Sequence, residues 1–142
     1  MALLRADEEA KVREWFAELA RPVELFVGLG PEGPPPAGSG DLEFGTEMVR
    51  LCDGLAELGD RVACRVEQEP DGFPRFPSVS IRPDGHDVGV RYDGLPWGYE
   101  VGSLVGAIVE AGREEPSLRA DSLAALGELD RDLALDVFVT PT

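Results

Sequence analysis

The side chains that could do chemistry are few, and the two cysteines come first. Disulfide exchange needs an attacking thiolate and a second thiol to resolve the mixed disulfide, yet no Cys-x-x-Cys occurs in the 142 residues. Cys52 shares a helical face with Met48 and Leu55, while Cys64 shares the inward parity of Val62 and Val66. Free cysteines in such places behave as small hydrophobes, and a disulfide is unusual in a reducing compartment. The pair therefore reads as two inert core thiols in preference to a disulfide or redox pair. His86 lies alone in a turn. With two separated cysteines it does not make a four-ligand zinc site. The Gly/Pro-rich stretch over residues 30–40 lacks the Lys and Ser/Thr pairing of a phosphate-binding loop. No nucleophile–base set is visible, and neither a metal nor a cofactor is expected.

Elements must position these groups, and the hydrophobic pattern predicts which. Val12, Phe16 and Leu19 recur at helical spacing over residues 7–20. Arg21-Pro22 ends that helix, because proline cannot continue the hydrogen-bond ladder. Val23 to Val27 reads as a strand. A second helix is expected over residues 42–58, with Phe44, Met48, Leu51, Cys52 and Leu55 inward and Gly59 as a left-handed cap. Val62 to Val66 alternates with period two and predicts a strand. Two more strands, Ser78 to Arg82 and Val88 to Tyr92, flank the turn Pro83-Asp84-Gly85. A third helix over residues 99–111 places Val101, Leu104, Val105 and Ile108 inward, with Gly112 as its cap. Its Gly102 and Gly106 suggest close packing of helix on sheet. Ser117 is the expected N-cap of a last helix carrying Leu118, Leu126 and Leu129. Leu133 to Val139 alternates as a closing strand.

Composition sets outer limits. At 142 residues and 43% hydrophobic, the chain can bury one core, so one domain is expected. Thirteen basic against 28 acidic residues give a formal charge of −15. That balance argues against nucleic acid and anionic membrane surfaces as partners. No apolar run approaches the ~20 residues of a membrane-spanning helix. The N-terminal charges run in the wrong order for a signal peptide, so a cytoplasmic location is expected. Asn is absent, and Gln68 and Lys11 are each the only residue of their type. This bias suits a thermophile or a GC-rich genome alike.

Specific segments carry a resemblance. Arg21-Pro-Val-Glu-Leu25, Leu55-Ala-Glu-Leu58, Gly89-Val-Arg-Tyr-Asp-Gly-Leu-Pro96, Gly98-Tyr-Glu100 and Val137-Phe-Val-Thr-Pro-Thr142 stand in an order similar to that of one family. The chain resembles the first repeat of the two-repeat, glutaredoxin-like protein disulfide oxidoreductases. It also resembles the first repeat in the N-terminal domain of the flavoprotein subunit of alkyl hydroperoxide reductase. The resemblance implies a thioredoxin-like α/β fold, a single degenerate repeat with a mixed sheet flanked by helices. An extra N-terminal helix and a C-terminal helix–strand extension complete it. It also implies that Pro77 is the cis-proline set opposite the dithiol in such folds, and that Glu100 supports a dithiol in the second repeat. Tyr99 replaces the histidine of the family's Gly-His-Glu segment, which interrupts any proton relay there. In the family the closing Val-Phe-Val-Thr-Pro-Thr leads into the Cys-Pro-x-Cys of the second repeat.

The resulting expectation is a thioredoxin-like repeat without Cys-x-x-Cys over residues 1–130. Residues 131–142 resemble the start of a second repeat, at whose threshold the sequence stops. Its function is read as a redox-inactive scaffold for a dithiol outside this chain. Its expected partner is a second thioredoxin-like repeat or a redox protein. The alternative is a stand-alone interaction module with an acidic surface. The apolar closing strand adds an expectation of homodimerisation, since an exposed apolar edge pairs between chains.

Overall fold

The computed structural model describes residues 4–31 and 43–139. Its elements run α1 (Ala6–Ala17), β1 (Val23–Leu29), α2 (Phe44–Ala56), β2 (Val62–Gln68), β3 (Ser78–Pro83), β4 (Arg91–Asp93), α3 (Glu100–Ala111) and α4 (Ala120–Gly127). The strands form one mixed sheet in the order β2-β1-β3-β4. β1 and β2 are parallel, with Leu25 opposite Cys64. β3 returns antiparallel to β1, with Leu25 opposite Ile81, and β4 antiparallel to β3, with Val79 opposite Tyr92. The helical crossover makes the parallel pair, and the short turn after β3 makes the antiparallel one.

Side chains alternate across a strand, so Val23, Leu25 and Val27 face one way with Val79 and Ile81. Against that face pack Phe16 of α1, Met48, Leu51, Cys52 and Leu55 of α2, and Leu104, Val105 and Ile108 of α3, in one buried cluster. The opposite face is covered differently. Phe26 is buried there under the Arg65 and Arg82 guanidiniums, 5.1 and 4.0 Å from its ring centre, and against Phe73 at 5.6 Å. Stacked guanidiniums shield an aromatic ring while their charged edges stay in water. Phe73 from the segment between β2 and β3, with Arg65 of β2 and Arg82 of β3, thus covers Phe26 on this face.

Several expectations change on contact with the fold. Gly59 is not a left-handed cap: α2 ends at Glu57 in right-handed geometry, and Gly59 has no positive φ. It is needed for space, since a Cβ there would fall 2.6 Å from Phe16 Cβ. Gly112 does cap α3, at φ −83. A Cβ on it would lie 2.4 Å from Leu19 Cδ2, and its carbonyl accepts the Ala20 and Arg21 N–H groups at 2.8 and 3.2 Å. Gly102 and Gly106 are corrected outright. Added Cβ atoms would meet nothing within 4 Å, so these glycines line the open side of α3 and make no close contact with the sheet.

The strand expected from Val88 begins only at Arg91. Gly89 has φ +81, and Asp87 Oδ1 accepts its N–H at 2.9 Å, so the chain is still turning there. That bond, with the Arg91 guanidinium beside it, holds the Asp87 carboxyl below its usual value. Ser117 does not cap α4. Its N–H and hydroxyl both donate to Glu110 Oε1, at 2.9 and 2.8 Å, and Arg119 occupies the cap position. α4 buries no residue, and Leu118, Leu123, Leu126 and Leu129 are exposed. The closing strand is also absent among the described residues: 131–139 has no regular structure, and Leu135 and Phe138 are 88% and 90% exposed. A strand exists only by pairing, and this segment finds no edge on its own sheet.

Candidate functional site

β1 carries the chain to one end of the sheet, where β2, β3 and the Asp93–Pro96 turn converge. Leu29 O accepts the Glu69 N–H at 2.7 Å, and Gly30 O accepts from the Gln68 side-chain amide. Beside them the Phe76–Pro77 peptide bond is cis. Pro77 O accepts the Gly94 N–H at 2.8 Å, tying the proline to the turn before α3. Ser78 Oγ donates to Asp93 Oδ1 at 2.8 Å, and the Arg75 guanidinium pairs with Asp93 Oδ2 at 3.1 Å.

Two glycines let aromatic rings close this end. A Cβ on Gly28 would fall 2.4 Å from the Phe73 ring, and one on Gly30 would fall 2.9 Å from Phe76 Cβ. The two rings stack on each other at 6.5 Å, and Arg91 lies over Phe73 at 4.6 Å while donating to Gly72 O at 2.8 Å. Gly30 thus packs against Phe76, the residue before Pro77, and the sequence carries no cysteine from Gly30 to Leu51.

The cysteines lie elsewhere and lie together. Cys64 pairs with Leu25, four residues back along β1 from Leu29, which places it roughly 13 Å from the proline end. Cys52 approaches from α2, fully buried, while Cys64 is half-buried on β2. Cys64's thiol, hydrogen-bonded to Cys52, is the largest cause that pushes the Cys52 thiol far above its ordinary value; burial is the next. Both effects keep Cys52 protonated and unreactive toward an outside electrophile.

Glu100 opens α3. It is half-buried, and its Oε1 is buried without a hydrogen-bond partner. Tyr99 beside it is 87% exposed. His86 remains in its turn, with its N–H on Pro83 O at 3.0 Å. Among the described residues no three His, Cys, Asp or Glu side chains gather as a metal site would require. No helix among them is long and apolar enough to cross a membrane. An open cleft of about 510 Å³ runs between α1, α2 and the start of α3, walled by Trp15, Leu51, Pro96, Trp97 and Val105. Sequence patterning did not reveal it, because its walls come from three separate elements. The cations on its rim, Lys11 and Arg50, are already paired with Glu14 and Glu47 at 2.9 and 3.1 Å.

This architecture has solved counterparts. The NTD_N/C domain of the alkylhydroperoxide reductase AhpF from Enterococcus faecalis superposes with a TM-score of 0.69 at 23% identity, over 83% of this chain and 57% of that one. A protein disulfide oxidoreductase from Aeropyrum pernix K1 gives 0.71 at 24% identity, over 91% of this chain and 56% of that one. Among curated sequences, the alkyl hydroperoxide reductase AhpF of Xanthomonas campestris pv. phaseoli is 24% identical over 136 residues, 96% of this chain and 23% of its own length. The AhpF of Pseudomonas aeruginosa is 25% identical over 119 residues, 84% of this chain and 20% of its own. The chain has a thioredoxin-like α/β fold and is similar in sequence to one part of AhpF. No protein-family profile matches it. This thioredoxin-like domain spans between a fifth and a quarter of the length of these curated relatives.

Proposed function

We propose that this domain is a redox-silent support repeat, which holds in place a dithiol that it does not itself contain. One observation carries the reading: Phe76–Pro77 is cis beside the end of β1, and the sequence that leaves β1 has no cysteine before Cys52 to stand opposite it. The only cysteines of the chain are Cys52 and Cys64, and Cys64 stands roughly 13 Å along the sheet from that end. Glu100 is the residue we assign to the support itself. Its Oε1 is buried without a hydrogen-bond partner, an unmet acceptor that a rearrangement on docking a second repeat would satisfy. Residues 131–142, apolar and unpaired where described, then read as the first strand of a following repeat. A cytoplasmic location belongs to the same proposal.

The test is an insulin-reduction assay with dithiothreitol. The chain alone should leave the rate at its uncatalysed value. Turnover that disappears in Cys52→Ser or Cys64→Ser would refute the silent reading. A second arm places a dithiol-bearing repeat after Thr142 and asks whether residues 1–130 matter to its exchange rate. Loss of those residues should slow exchange, and Glu100→Gln should shift its pH profile. An unchanged rate without residues 1–130 would leave no support role.

A further inference from the structure

We propose that Cys52 and Cys64 form a reversible disulfide when the domain meets a hydroperoxide, making the α2–β2 contact an oxidation-sensitive staple. The observations are positional. Sequence spacing places the cysteines on different elements, but the parallel pairing of β1 and β2 and the packing of α2 on that pair bring both to the interface between helix and sheet. β2 is an edge strand, and Cys64 is half-buried on it, the more exposed of the two cysteines. Cys52 is fully enclosed behind it. Cys64 packs against the buried cluster that contains Cys52, so the two thiols meet across the α2–β2 contact.

The asymmetry of exposure assigns the roles. The Cys64 sulfur attacks the terminal oxygen of a hydroperoxide, the O–O bond breaks, and Cys64 becomes a sulfenic acid as an alcohol or water leaves. The Cys52 sulfur then attacks the Cys64 sulfur. The S–S bond forms, the S–O bond breaks, and the hydroxyl departs with the Cys52 proton as water. Overall two thiols and one hydroperoxide give one disulfide, one alcohol and one water. The high proton affinity of Cys52 protects it from direct oxidation, and transfer of its proton to the leaving hydroxyl lets it react only with its neighbour. A dithiol reductant restores both thiols by exchange. This staple does not depend on the support role proposed above, since it involves no second repeat.

The full chain should be treated with one equivalent of hydrogen peroxide, quenched, unfolded and alkylated, then weighed by mass spectrometry. The two alkylatable thiols should fall to none on a monomeric chain lighter by two hydrogens, and dithiothreitol should restore both. Cys52→Ser should leave a Cys64 sulfenic acid that dimedone traps, and Cys64→Ser should leave Cys52 unmodified at the same dose. Should either variant fail to fold, the thiol count of the unsubstituted chain decides alone. Two thiols still free, disulfides formed only between chains, or Cys64 over-oxidised beside a free Cys52 would each overturn the proposal. The insulin assay reads the support role separately, so failure of one leaves the other standing.

Discussion

At the scale of single residues, glycine shows how the same side chain is kept for opposite reasons. Gly59 is required because Phe16 Cβ occupies the place its own Cβ would take, 2.6 Å away. That neighbour is fixed close to the backbone of α1 and cannot rotate aside. Gly102 has nothing within 4 Å and lies inside a helix, where glycine costs backbone entropy. Alanine should therefore act with opposite sign at the two positions. Gly59→Ala is expected to lose about 1–3 kcal/mol through overpacking, whereas Gly102→Ala is expected to gain roughly 0.5–1 kcal/mol. Urea unfolding of both variants checks this, and equal signs would contradict the packing described for α1. Glycine in the sequence marks both positions, but only the neighbour's coordinates tell a needed void from an empty one.

At the scale of elements, the contrast lies between α3 and the region C-terminal to it. α3 closes the core with Leu104, Val105 and Ile108, and Gly112 stitches its end to the exit of α1. The region after Ser117 adds nothing to that core: α4 has no buried residue, and its leucines continue into the exposed Leu133 to Val139. A chain ending at Ser117 keeps the Glu110–Ser117 hydrogen bonds and should unfold within about 0.5 kcal/mol of the full chain. Its self-association should fall, because exposed apolar segments without a partner drive contact between copies. Sedimentation velocity of the two chains, read beside their denaturation curves, decides both points. A large loss of stability on truncation would mean that α4 packs where the structure shows it exposed.

At the scale of the whole molecule, a formal charge of −15 is spread over a 15.3 kDa chain whose ion pairs lie mostly at the surface. Such pairs contribute little each, while the excess of like charge opposes compaction throughout. Raising ionic strength from about 0.01 to 0.15 M shortens the screening length from about 30 to 8 Å. The melting temperature should rise over that range, and a fall would mean that the surface pairs outweigh the net repulsion. The sequence by itself determined the three core helices, the central strands and the thioredoxin-like family resemblance. Those features rest on local periodicity, on proline and glycine at element ends, and on short contiguous motifs such as Gly89 to Pro96. The sequence alone also established that no Cys-x-x-Cys exists. Only the tertiary structure decided that Cys52 and Cys64 meet at one packed cluster, that Phe73 and Phe76 close the end beside Pro77, and that α4 and residues 131–139 stay exposed among the described residues. Each of these is a contact, or a missing one, between elements distant in the chain. Residue type and spacing carry no record of that, because it depends on which surfaces the packed layers bring together.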